Sequence, residues 1–198
     1  MTHTKESRQQ LRQQLRQARR SLSTTEQANA AKHLVKQFQD NLQPLLINSP
    51  SPKKVALYLA NDGEICPQYL CEFFWQSKIQ TYLPVIDNQE LKFAVYTESS
   101  QWQSNQYGIK EPVATEYLSP HDLDLVFLPL VGFDKQGGRL GMGGGFYDRT
   151  FANKKVHEEP LLIGLAHNCQ QVDELPIESW DVPLQAILTP SSFIETKT

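Results

Sequence analysis

The chain has 198 residues, enough for one domain with a hydrophobic core or one domain with a small appendage. Its formal net charge of −3 excludes a protein that binds nucleic acid over its whole surface. No apolar run approaches the roughly 20 residues that a membrane-spanning helix needs. The three cysteines, Cys66, Cys71 and Cys169, match no zinc spacing and cannot all pair. They read as free thiols of a reducing compartment. The N-terminus is polar and charged, with no apolar signal segment, so the expected location is cytoplasmic.

The predicted elements begin with a basic helix over residues 5–20. Arg8, Arg12, Arg16 and Arg19/Arg20 recur at helical spacing, with Leu11, Leu15 and Leu22 on another stripe. Like charges so placed cost a few tenths of a kcal/mol each, and a neighbouring anion removes that cost. Most of the stripe reads as a solvated face, and one or two of its arginines as facing an anion. Ser23 or Thr24 caps a second helix that runs to about Asp40, with Glu26 in its first turn. Residues 48–52 are a loop. A short buried strand follows at 55–59. Asn61-Asp62-Gly63-Glu64 then turns the chain into a helix ending near Trp75. Strands follow at 80–85, 91–96 and 123–130. The last runs into a glycine-rich window, which leads into a helix beginning near Gly145. Strands at 161–166 and 185–188 close the set, and 191–198 read as a loose tail.

This alternation predicts an α/β protein in a single domain over 1–198. The sheet is open and Rossmann-like, in three layers with helices on both faces, and an N-terminal helical segment covers about 5–40. Ligands of such sheets bind beyond the carboxyl ends of the strands. Glu64, residues 129–145 and residues 167–170 all follow strand ends, so they are expected at one edge.

Seven of the ten glycines lie between Gly132 and Gly145. Bare backbone of this kind permits close approach to an anion. Lys135, Arg139 and Arg149 add positive charge, and Asp134 and Asp148 offer oxygen to a hard cation. A flexible linker would instead be rich in glycine and serine. No Lys-Ser or Lys-Thr follows the glycines, which excludes a P-loop, and Phe146 stands where a Rossmann fingerprint needs its third glycine. No His-Arg-Asp or Asp-Phe-Gly occurs, which excludes a protein kinase. A nucleotide site here belongs to a less common class.

The run from Pro129 through Phe133-Asp134, Arg139-Leu140-Gly141-x-Gly143-x-Gly145 and Phe146-Tyr147-Asp148-Arg149 resembles the signature of the 5-formyltetrahydrofolate cyclo-ligases, also called methenyltetrahydrofolate synthetases. Arg8-x-x-Leu11-Arg12, Tyr58 to Glu64-Ile65, Gly108-Ile-x-Glu111-Pro112, Gly164 to Gln170 and Leu175-Pro-x-Glu178-x-x-Asp181 are similar to family segments in the family's order. Together they span about residues 8–190.

The resemblance implies an ATP-dependent, Mg²⁺-requiring ring closure of 5-formyltetrahydrofolate to 5,10-methenyltetrahydrofolate. It places ATP on Arg8, Gln9, Gln10, Leu11 and Arg12, and on Arg139, Leu140, Gly141, Met142, Gly143, Gly144, Gly145, Phe146 and Tyr147. The folate would meet Arg12, Leu59 and Glu64, and the backbone from Met142 through Gly143, Gly144 and Gly145 to Phe146. Asp148 and Asp181 would hold Mg²⁺, and Arg139 and Asp148 are the expected catalytic groups. The partners implied are small molecules, with no nucleic acid, membrane or obligate protein partner. Trp102 or Tyr107 offers a ring to stack on the folate, or packs in the core. His167 reads as a hydrogen-bonded or surface histidine rather than a base. Two positions depart from the family pattern: Arg8 stands where lysine is frequent, and Gly144 where some members carry lysine. The residues alone also admit a sugar-phosphate isomerase or CoA-transferase-like enzyme, or an idle nucleotide- or RNA-binding protein.

Overall fold

The structure, a computed structural model, describes residues 2–44, 53–105, 108–155 and 158–196. The loop expected at 48–52 and the ring of Tyr107 lie outside them. A seven-stranded sheet forms the centre. In chain order its strands are β1 (Lys54–Ala56), β2 (Gln80–Asp87), β3 (Glu90–Tyr96), β6 (Leu125–Pro129), β9 (Leu161–Leu165), β10 (Ala186–Leu188) and β11 (Phe193–Glu195). Their spatial order is β11-β10-β9-β6-β1-β2-β3, with β3 and β11 antiparallel at the edges and the inner strands parallel. Two small hairpins stand apart from it: β4 (Trp102–Ser104) with β5 (Lys110–Pro112), and β7 (Gly132–Phe133) with β8 (Arg139–Leu140).

The inner strands are apolar on both sides, as a doubly covered parallel sheet requires. In β6, Leu125 and Phe127 enter one core while Val126 and Leu128 enter the other. The first core is closed by helix α2 (Thr24–Asn41) and helix α3 (Gln68–Gln76). Ser23 and Glu26 form a reciprocal capping box that starts α2. Ala30, Leu34 and Phe38, at i, i+4 and i+8, are its buried stripe. Phe38 meets Phe74 of α3 edge-to-face at 5.0 Å. Truncating such a ring to alanine costs about 3–5 kcal/mol. The second core is thinner. It is covered by helix α4 (Phe146–Thr150), by Phe133 and Phe151, and by the irregular run through Val182 and Leu184.

Helix α1 (Thr2–Arg20) covers neither face. Leu15 packs with Val131, Leu140 and Leu175, beyond the carboxyl end of β6. The basic helix therefore caps the strand ends where ligands of such sheets bind. The loose tail expected at 191–198 is corrected by the structure over its described residues, 191–196. Thr189 N–H bonds to Ser192 O in a tight turn, β11 then pairs antiparallel with β10, and the Thr196 hydroxyl donates to Leu184 O. A segment only three residues long, with one β-branched residue, gives too weak a pattern to read as a strand without its partner.

Candidate active site

Three chain segments leave the sheet at its carboxyl edge and meet under α1. The first follows β1. Asp62 and Gly63 take left-handed backbone (φ 54° and 73°), which swings Glu64 back so that its carboxylate accepts the Asn61 N–H at 3.0 Å. Glu64 is largely buried, and burial pushes its carboxyl up from the ordinary range. The Asn61 amide and the Arg19 guanidinium pull in the other direction. Tyr58 and Tyr147 stand near it, and burial pushes both phenols up, so they stay neutral. Tyr58 donates to Ile65 O at 2.8 Å.

The glycine window is the second segment. Its first half is the β7–β8 hairpin. The Asp134 carboxylate accepts Gln136 N–H and Gly138 N–H at 2.9 Å each, and Leu175 N–H at 3.0 Å. Asp134 is thus buried and committed to its own turn. The expectation that it offers oxygen to a cation is corrected for that reason. Beyond β8 the chain opens. Gly143 has φ 101°, and Gly145 has φ 68° at the start of α4. Space around Gly141 is free to 4 Å, and the nearest atom to a side chain at Gly143 is the Arg12 guanidinium carbon at 3.8 Å.

Charged side chains form the opposing wall. Arg8 grips Asp181 with both terminal nitrogens, at 2.6 and 3.1 Å, and also donates to Pro176 O at 2.8 Å. Arg139 pairs with Asp148 and donates through Nε to Val182 O at 3.0 Å. Val182 N–H in turn bonds the Asp148 carboxylate at 3.1 Å, which sets that carboxylate beside the residue that follows Asp181. Arg12 Nε donates to Gly141 O at 2.8 Å, which ties α1 to the open glycines. These groups, with Leu59 and Glu64, line one cavity of about 920 Å³. That is the upper part of the range for ligand sites, and large enough for two substrates side by side.

Comparison with known proteins agrees with this geometry. The model of the 5-formyltetrahydrofolate cyclo-ligase family matches residues 4–190. A 5-formyltetrahydrofolate cyclo-ligase of Haemophilus influenzae is 42% identical over 92% of this chain and 97% of its own. The chain belongs to the 5-formyltetrahydrofolate cyclo-ligase family. The Escherichia coli K12 enzyme of the same name is 43% identical over 71% of this chain and 80% of its own. Among solved structures, the 5,10-methenyltetrahydrofolate synthetase of Aquifex aeolicus superposes with a TM-score of 0.81 at 27% identity, covering 96% of this chain and 93% of that one. ATP-dependent cyclisation of 5-formyltetrahydrofolate is the known reaction of this family, and it sets aside the isomerase and RNA-binding alternatives.

The cavity brings together most of the residues named from the sequence: Arg8, Arg12, Leu59, Glu64, Arg139, Gly141 to Gly145, Phe146, Tyr147, Asp148 and Asp181. Four side chains lie elsewhere. Gln9 and Gln10 are exposed, because the helix turns them away from Arg8 and Arg12. Leu11 packs against the small core that holds Leu15, and Leu140 is buried in that core. Trp102 packs edge-to-face on Tyr96 at 5.6 Å and is not on the cavity wall, whereas Trp180, two-thirds exposed, is. His167 is buried rather than at the surface, its pKa pushed down to about 4 mainly by desolvation, and its Nε2 has no hydrogen-bond partner. The solvated reading of the arginine stripe fails at Arg19, which is fully buried. Nothing in the spacing marks Arg19 apart from Arg16 or Arg20. Among the described residues no helix is long and apolar enough to cross a membrane.

Proposed function

We propose that this cavity binds MgATP against Arg8, Arg139, Asp148, Asp181 and the open glycines, and the folate between Arg12, Leu59 and Glu64. The observation that carries this reading is that one continuous cavity joins the arginine–aspartate wall to the buried Glu64. The reaction needs both ends. A formamide oxygen is a poor nucleophile, and hydroxide is a poor leaving group. Transfer of the γ-phosphoryl group to the formyl oxygen forms a C–O–P linkage and releases ADP. N10 then attacks the activated carbon, phosphate leaves with the former formyl oxygen, and the N10 proton passes to solvent. Phosphoryl transfer of this kind asks for positioning and charge neutralisation more than for a protein nucleophile.

The chain's own groups meet these demands. Gly141 and Gly143 leave open space through which a phosphate oxygen can approach the backbone, while the Arg149 guanidinium covers Gly145. Arg139, held at Nε by Val182 O, presents a fixed guanidinium to the transferred group. Glu64 accepts hydrogen bonds from the N–H edge of the pterin, as carboxylates do from amino-pyrimidine edges. No strong base is required, in keeping with His167 being buried and neutral.

Of the two aspartates Asp148 fits Mg²⁺ as it stands, whereas Asp181 gives both oxygens to Arg8 and Oδ2 also to Glu178 N–H, so it would reach the ion only in place of Arg8. That ion takes one or two carboxylates and completes its shell with phosphate oxygens and water. Asp148 and Asp181 both line the cavity, and the Asp148 carboxylate is bonded to the N–H of Val182, next to Asp181. Both bonds to Asp148 are made to Oδ1. Bound there with ATP, the metal supplies neutralisation of the phosphate charge. The test is direct: the purified protein with folinate and MgATP should generate the absorbance of the methenyl product near neutral pH. No product with ATP, or equal product without it, ends this reading.

A further inference from the structure

The fully buried Arg19 is the residue that the sequence explains least. It lies in the last turn of α1, and its guanidinium donates to Asp62 O at 2.8 Å, Asp62 Oδ2 at 2.8 Å and Leu130 O at 2.9 Å. Its Nη2 also stands 3.7 Å from Glu64 Oε1 and 3.7 Å from Met142 Sδ. One side chain therefore touches the turn after β1, the end of β6 and the open half of the glycine window. Removing a charge from water is costly unless it is paired. Arg19 shares its only directly bonded carboxylate, Asp62, with Arg16 and Arg20. Three guanidinium groups on one carboxylate leave positive charge uncompensated. The next carboxylate within reach is Glu64.

We propose that Arg19 is a positioning residue for the cyclisation: it sets the Glu64 carboxylate and Met142 in register across the folate end of the cavity. This rests on the reading that Glu64 meets the folate. Arg19 itself does not line the cavity, so it acts through its neighbours. The charged and titratable groups around the pair are few. Arg19 faces Glu64 from α1, Tyr58 from the end of β1 and Tyr147 from α4. His167 and Cys169 face Arg19 from the segment after β9. His167 stays neutral there, so no second cation competes for Glu64. Burial drives the Glu64 carboxyl up, and Arg19 is the cation that opposes it.

The experiment compares Arg19→Lys and Arg19→Gln with wild type. It reads KM for folinate, KM for ATP, and kcat/KM for folinate against pH. The expected result is a rise in KM for folinate of about tenfold or more in Arg19→Gln, the worth of a hydrogen bond to a charged group. KM for ATP should stay within about twofold, below the worth of one lost hydrogen bond. The acid limb of the folinate profile should move to higher pH by about one unit, since an opposite charge this close holds a carboxyl down by that order. Arg19→Lys keeps the charge without the fork, so it should fall between wild type and Arg19→Gln. Should Arg19→Gln fail to fold, Arg19→Lys alone carries the test through its raised folinate KM at unchanged ATP KM. Parallel rises in both KM values with the acid limb unmoved overturn the inference and leave a purely structural arginine. Wild-type turnover in the same assay keeps the proposed function standing in that case.

Discussion

The two halves of the glycine window are both rich in glycine and serve different purposes. In Gly132–Gly138, a side chain would collide with the protein itself: at Gly132 with Leu15 at 2.4 Å, at Gly137 with Thr196 at 2.6 Å, at Gly138 with the Asp134 carboxylate at 2.6 Å. In Gly141–Gly145, Gly141 meets nothing within 4 Å and Gly143 only the edge of Arg12 at 3.8 Å, while Gly144 and Gly145 meet the side chains of Phe146 at 3.1 Å and Arg149 at 2.6 Å. The first half lacks side chains so that the hairpin can pack. In the second, Gly141 and Gly143 lack them so that space stays open at the cavity wall. Glycine density alone therefore does not mark a ligand site; what surrounds the missing Cβ does.

Gly143→Val should have the largest effect. It fills the open space at a residue with φ 101°, and a strained loop residue costs on the order of 1–3 kcal/mol. Cyclisation should fall by about a hundredfold or more, since each 1.4 kcal/mol of barrier is tenfold. The fold should persist with a modest drop in Tm, and MgATP should no longer raise that Tm. Normal turnover together with retained stabilisation by MgATP would falsify the cradle. Asp148→Asn is nearly isosteric and should lose activity by a similar order, on the order of a hundredfold as for one lost electrostatic contact, most visibly at limiting Mg²⁺. Asp134→Asn should instead lower Tm and spare the KM values, and the reverse pattern would mean that the two halves are misassigned.

His167 tests the support beneath the site through pH. Its folded pKa, about 4, lies below the ordinary histidine value of 6.5. Between these values the unfolded chain binds a proton that the native protein refuses. Stability is therefore lost as pH falls through that window, by on the order of 3 kcal/mol at most, and is unaffected by this group above it. Urea midpoints at pH 7 and pH 5 should differ less in His167→Gln than in wild type. An unchanged difference would show that other groups carry the acid sensitivity. Gly138→Ala should cost about 1–3 kcal/mol of stability by overpacking and leave both KM values alone. A raised KM for ATP without loss of Tm would move Gly138 into the ligand half. Arg16→Ala should have the smallest effect. Arg16 is partly exposed, and Asp62 keeps Arg19 and Arg20. A change in KM beyond about threefold, more than a surface ion pair accounts for, would mean that Asp62 needs all three.

The parallel strands were legible because apolar runs such as Leu125–Leu128 permit little else. The α2 start was legible because Ser23 and Glu26 carry its capping chemistry in sequence. The family motif likewise placed Arg139, Asp148 and the open glycines. What the chain order did not contain was long-range partnership. Arg16, Arg19 and Arg20 are alike on one helix, yet only Arg19 is buried against Leu130, 111 positions away. Asp134 and Asp148 lie in and just after one glycine window, yet one closes a turn and the other pairs with Arg139 on the cavity wall. Phe193–Glu195 became a strand only because the Thr189–Ser192 turn returns it to β10. Local pattern fixes which surface an element must bury and which chemistry the chain can present. The identity of the atoms on the other side is set by tertiary packing, and there the same residue type acquires different partners and tasks.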